Sequence, residues 1–128
     1  MQYEYFYGAQ AEQFSFYRIP KALFTVPNFR ELSTDAKVLY GILLDRMSLS
    51  LKNQWLDAQN KVYIIFTVEE IMDALNCANQ KATRLMVELE KQAGLIERKR
   101  QGLGRPNLIY VKNFAATING KSCEKADS

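Results

Sequence analysis

Residues 79–111 leave this chain few folds to choose from. Ala82, Leu85, Met86 and Leu89 recur at spacings of three and four, one face of a helix read from Asn79 to Ala93. Gly94 suits the left-handed position that ends such a helix. Leu95–Gln101 and Leu108–Val111 read as strands. Between them Gly102-Leu103-Gly104-Arg105-Pro106-Asn107 reads as a turn-rich loop. A helix followed at once by a hairpin is the second half of a winged helix-turn-helix.

The first half lies just upstream. Thr67-Val68-Glu69-Glu70 is a capping box, in which the Thr67 hydroxyl caps the helix start and Glu70 reaches back. That helix should run to Leu75 and bury Val68, Ile71, Met72 and Leu75. Asn76-Cys77-Ala78 is then a turn of about three residues, as a helix-turn-helix requires, with Asn79 expected to cap the next helix. Further upstream Ser33 is expected to cap a long helix with Asp35 in its first turn. Ala36, Leu39, Tyr40, Leu43, Leu44 and Met47 form its apolar stripe. Val38 and Ile42 widen the stripe, which makes this helix central to the core. It should end near Ser50. Residues 51–61 read as a polar connector around Trp55 and Asp57, and Lys61–Phe66 as one strand. Trp55 and Tyr63 are expected to serve structure beneath that connector, although both are able to stack on bases.

The N-terminal end is different. Tyr3, Tyr5, Phe6, Tyr7, Phe14, Phe16 and Tyr17 follow no helical period, though Phe14, Phe16 and Arg18 alternate as in a short strand. Pro20 suits the first turn of a short helix through Phe24, and Pro27 closes it. Such an arm packs either back on its own domain or on a second copy. The expected class is α+β: a winged helix-turn-helix with three main helices, a small antiparallel β-hairpin wing and an N-terminal aromatic arm. The expected division is arm 1–27, winged helix 28–114, and a flexible tail or linker 115–128.

Charge is distributed unevenly. Residues 1–76 carry seven basic and nine acidic side chains, net −2, whereas residues 77–114 carry eight and three, net +5. Positive charge thus gathers on the segment patterned for duplex DNA. On the third helix Asn79, Gln80, Lys81, Thr83, Arg84, Val87 and Lys91 lie off the apolar stripe. Gln and Arg pair bidentately with adenine and guanine edges, Lys81 and Lys91 suit phosphates, and Thr83 suits a thymine methyl. In the wing Arg98, Lys99, Arg100, Arg105 and Asn107 surround a tip where Gly102 and Gly104 permit close approach to a backbone. The competing structural readings are a solvated helix face and a charged edge that deters strand pairing. Glu69 and Glu70 are read as helix-start residues rather than as an acid–base pair.

Other chemistries find little footing. The chain has no histidine, which removes His-based triads and the commonest zinc ligand. Cys77 and Cys123 make no disulfide framework and are expected as reduced thiols in a cytoplasmic protein. No apolar run reaches the roughly 18–20 residues of a membrane span. No Walker A, dinucleotide-fold or nucleophile-elbow pattern occurs. No enzyme activity, metal, cofactor or membrane contact is expected.

Several separated motifs resemble one family. Phe16-Tyr17-Arg18-Ile19-Pro20-Lys21-Ala22-Leu23-Phe24, Leu32-Ser33-Thr34-Asp35-Ala36-Lys37-Val38-Leu39-Tyr40 and Leu44-Asp45-Arg46-Met47-Ser48 are similar to the N-terminal domain of replication initiator A proteins (RepA_N). So are Trp55-Leu56-Asp57, Val62-Tyr63-Ile64 and Gly102-Leu103-Gly104-Arg105-Pro106-Asn107-Leu108-Ile109-Tyr110-Val111. The resemblance spans roughly residues 14–114. It implies a winged-helix DNA-binding domain of initiators from low-GC Gram-positive plasmids and related mobile elements. It also implies homodimers on repeated origin sites, and a C-terminal region beyond this chain that meets host replication proteins. A winged-helix transcriptional regulator shares nearly the same physics, and a protein-interaction module shares the fold.

Overall fold

A computed structural model of the chain describes residues 2–9 and 13–115. Its elements are α1 (Ala22–Thr25), a 3-10 turn (Pro27–Phe29), α2 (Thr34–Lys52), β1 (Ile64–Ile65), α3 (Val68–Leu75) and α4 (Asn79–Val87). A π-helical turn (Glu88–Gln92) continues α4, and β2 (Ile96–Lys99) and β3 (Leu108–Val111) follow. Three main helices pack on a small antiparallel sheet, the winged helix-turn-helix. Residues 116–128, with Cys123 and most of the expected tail, lie outside the described residues.

The helix boundaries follow from caps. Ser33 Oγ accepts the Ala36 N–H at 3.2 Å and starts α2. Lys52 ends it, two residues past the expected Ser50. The Thr67–Glu70 capping box is present in both directions, at 3.2 Å and 3.0 Å. Glu70 also pairs with Arg46 of α2, so the acidic residue at the α3 start is structural. Asn76, left-handed at φ 52°, ends α3. Asn79 departs from expectation. Extended Ala78 holds the N-cap position with no side-chain cap, and Asn79 is the first helical residue. Its Oδ1 accepts a hydrogen bond from Thr83 Oγ1 at 3.4 Å instead.

The core joins all layers. Leu39 and Leu43 of α2, Ile71 of α3, Leu85 and Leu89 of the α4 helix and its π turn, and Ile64, Ile96 and Ile109 of the sheet are almost wholly buried. Each such side chain contributes about 1.5–3 kcal/mol by leaving water. Leu23 is fully buried in the same core, and Ile19 and Val26 pack against it. Gly41 makes the adjoining approach possible. A Cβ there would lie 2.9 Å from Ile19 Cγ1 and 3.0 Å from the Arg18 carbonyl oxygen. Phe114 closes the far side, edge-on to Phe29 at 5.1 Å and tilted on Tyr40 at 5.6 Å. The Tyr40 hydroxyl donates to the Lys112 carbonyl at 2.8 Å.

The wing is larger than a hairpin. The sheet order is β1-β3-β2, antiparallel throughout, with Ile64 opposite Ile109 and Arg98 also opposite Ile109. Of the expected Lys61–Phe66 strand only Ile64–Ile65 pairs with β3, while a single bridge joins Val62 to Leu56. On the outer face Trp55 stacks on Tyr63 (6.3 Å between centroids, 10° between planes), and Tyr63 meets Tyr110 edge-on. Tyr110 donates to Asp57 at 3.1 Å. Trp55 and Asp57 therefore fold the connector over the sheet. The expected strand around Phe14–Arg18 does not form. That stretch has no partner strand among the described residues and runs as irregular backbone.

Candidate nucleic-acid interface

Helix α4 and its π turn carry two stripes of identical spacing. Ala82, Leu85, Met86 and Leu89 face the core and are buried. Gln80, Thr83, Arg84 and Val87, at the same three-one-three steps, are exposed, and Lys91 extends that outer line one turn further. Nothing in the described fold covers this outer stripe. It offers a neutral amide, a hydroxyl, a guanidinium and an ammonium along one helix face. That inventory pairs with base edges and phosphates. Lys81 lies off the line, with its ammonium 2.8 Å from Asp35 at the start of α2, and both side chains keep contact with solvent. Asn79 sits exposed at the helix start.

The wing stands beside this helix. Of the strand expected over Leu95–Gln101, with its three adjacent cations, β2 covers Ile96–Lys99. Strand alternation then sorts those cations. Ile96 and Arg98 share the face that looks at α4, because Arg98 lies opposite buried Ile109. Glu97 and Lys99 share the other face. Lys99, Arg100, Arg105 and Asn107 are exposed, whereas Arg98 is held inward. Its Nε and Nη2 donate to Glu90 Oε1 at 3.1 Å and 2.8 Å. The structure thus brings Lys99, Arg100, Arg105 and Asn107 to the wing's surface, and Arg98 to the helix–wing seam.

Two features of the wing leave little mark in the sequence. Gln101 Nε2 donates to the Pro106 carbonyl at 2.8 Å and closes the base of the loop. Leu103 stands fully exposed at the tip, between Gly102 and Gly104, which both have positive φ. The turn itself is the one expected over Gly102–Asn107, with positive φ at both glycines; the exposure of Leu103 is the new feature. Between wing and helix-turn-helix lies a cleft of about 300 Å³, lined by Thr67, Val68, Glu69, Arg105, Pro106 and Asn107 among others. The start of α3 and the wing therefore flank one concave surface. Among the described residues no cluster of His, Cys, Asp and Glu could hold a metal ion. No described helix is long and apolar enough to cross a membrane.

Known proteins share this arrangement. A solved "N-Terminal domain of DNA binding protein" is 36% identical, with a TM-score of 0.72, covering 99% of this chain and 98% of that one. The "Structure of Rep-DNA complex" contains a chain 39% identical, TM-score 0.71, covering 86% and 84%. The "Structure of MDR initiator" is 38% identical, TM-score 0.67, covering 93% and 98%. A "41 kDa protein" of Lactobacillus helveticus is 32% identical over 103 residues, which is 80% of this chain but 28% of that relative. The chain thus spans little more than a quarter of that relative's length. The family model "Replication initiator protein A (RepA) N-terminus" matches residues 15–125. The chain belongs to the replication initiator protein A N-terminal family, whose motifs its sequence displays.

Proposed function

We propose that this domain binds specific duplex DNA sites at the replication origin of a plasmid or related mobile element. The observation that carries the reading is the uncovered stripe Gln80, Thr83, Arg84, Val87 and Lys91 beside a wing bearing Lys99, Arg100, Arg105 and Asn107. Helix α4 enters the major groove, Gln80, Thr83 and Arg84 meet base edges, and Lys91 and the wing cations meet phosphates. Asn79 and Lys81, at the start of α4, lie within reach of the same backbone. The domain works by binding, in the cytoplasm, without a cofactor. A relative in a solved Rep–DNA complex, 39% identical, supports the assignment. Contacts with host replication proteins are assigned to the parts of longer relatives that this chain does not match.

The working unit is a homodimer joined through the aromatic arm. Tyr5 is 82% exposed and Phe16 62%, and Phe14 meets Phe6 and Phe16 edge-on, at 6.0 Å and 6.3 Å. Rings that stay this exposed, although Phe16 also lines a cavity with Gly41 and Leu44 of α2, favour a second apolar surface. Two copies on a two-fold axis present two α4 helices to half-sites about one helical turn apart.

Three measurements test this reading. Duplex affinity should fall with salt, each neutralised phosphate adding about −0.9 to the slope of log affinity against log salt. Footprints should cover repeated sites at the element's origin, whereas footprints confined to promoters would make the domain a transcriptional regulator. Deleting residues 1–18 should give a folded monomer that binds more weakly, because the linked second site is lost. A truncated chain that still dimerises refutes the arm's role.

A further inference from the structure

The π-helical turn after α4 carries Glu88 and Glu90, and both carboxylates are part-buried against neighbouring elements. Glu88 accepts the Ser33 hydroxyl at 2.9 Å and also the Ser33 N–H, at the start of α2. Two residues further on, and so on the opposite side of the helix, Glu90 reaches β2. It accepts the Arg98 backbone N–H at 3.2 Å and both guanidinium contacts already described. The side chains of Arg98 and Glu90 are only 24% and 17% exposed. All three bonds end on one carboxylate, so the pair fixes distance and angle together, as a fork-shaped contact does. The i to i+5 turn, closed by the Ala93 N–H on the Glu88 carbonyl at 3.0 Å, spaces these two anchors.

We propose that Glu90 is a positioning residue for DNA recognition. Through Arg98 it locks the wing to α4, so that helix and wing meet a duplex in one relative orientation. Arg98 then belongs to this lock and not to the phosphate-contacting set. The proposal rests on reading α4 and the wing as the DNA interface. Glu90 acts wholly through the wing's order: it touches no DNA, and a free wing would have to be immobilised on each binding event.

The test compares the whole chain with Glu90→Gln, Arg98→Gln and the double variant. Nitrogen-15 relaxation of the free proteins reads the order of the amides of residues 100–107. Titration with the tightest duplex recovered from a random pool reads affinity. Glu90→Gln should stay folded, loosen the wing amides, and bind about three- to tenfold more weakly with an unchanged salt slope. The double variant should be no worse than the worse single, since both break one lock. If Arg98 were instead a phosphate contact restrained by Glu90, Glu90→Gln would release it and bind more tightly. Tighter or unchanged binding, or unchanged wing relaxation, overturns the proposal. A wild-type chain that recovers no duplex overturns the DNA reading, and the relaxation data still decide the lock. Should Glu90→Gln fail to fold, Glu90→Asp, one methylene shorter, carries the same comparison.

Discussion

Leu85→Ala separates the core from the interface most cleanly, because Leu85 is buried while its neighbour Arg84 is exposed. Leu85 is 0% exposed, in the middle of α4, where the helix meets α2 and α3. The change removes three carbons. At about 0.8 kcal/mol per buried methylene-sized group, lost transfer alone costs roughly 2.4 kcal/mol. Leu85 shares one buried cluster with Leu39, Ile71 and Leu89, and a closely packed core relaxes only partly into such a gap. A cavity term therefore adds to the loss, for a total of about 2–5 kcal/mol. Urea unfolding followed by far-ultraviolet circular dichroism reads this directly. The midpoint should fall while the slope stays near the wild-type value. At temperatures where the variant is still folded, its duplex affinity should match the wild type. A loss under about 1 kcal/mol, or a stable variant that no longer binds DNA, would mean that Leu85 faces the ligand and that the two stripes of α4 have been exchanged.

Other expected outcomes follow from single contacts. Gly41→Ala would drive a methyl group against the Arg18 carbonyl oxygen, 3.0 Å away, and Ile19. It should cost about 1–3 kcal/mol in chemical unfolding and displace the amide signals of residues 17–20. Thr67→Ala removes one half of the α3 capping box and should cost about 1 kcal/mol, with loss confined to amides at the start of that helix. Burial pushes the Tyr40 phenol up to about 12 from 10.0. Its folded value lies above its unfolded value. Its share of stability is thus intact below pH 10 and drains away as pH rises toward about 12. A spectrophotometric titration should show late phenolate titration that Tyr40→Phe diminishes by one group, and a titration unchanged by that substitution would remove Tyr40 from the interior.

Periodicity made much of this molecule readable. Ala82, Leu85, Met86 and Leu89 repeat at helical spacing over a long enough run to fix the inner face of α4, and the uncovered face followed by subtraction. Thr67 and Glu70 mark their cap because the motif is local, needing no tertiary contact. Leu108–Val111 is bounded by turn residues and matched β3 at both ends. The reading failed where geometry is decided by partners. Arg98, Lys99 and Arg100 form an unbroken charged run, and a charged run has no apolar alternation to show which side chain turns inward. Only pairing with Ile109 settles that. Lys61–Phe66 reads locally as a strand, but that only Ile64–Ile65 of it pairs, and pairs with distant β3, has no local mark. Asn79 is a good capping residue, yet Ala78 takes the position because the extended turn after left-handed Asn76 begins the helix one residue earlier. The π turn leaves no mark in a composition of Glu, Leu, Lys and Gln that an α-helix accepts equally well.

The central claim is that the exposed stripe of α4 reads base edges in a duplex. Competition binding of wild type and Arg84→Ala tests it most directly, on a selected site and on random duplex of equal length at one salt concentration. Arg84→Ala should weaken binding to the selected site by about 1–3 kcal/mol, leave random duplex nearly untouched, and melt with the wild type. Equal losses on both duplexes would make Arg84 a phosphate contact, and no loss on either would place base recognition somewhere other than this helix.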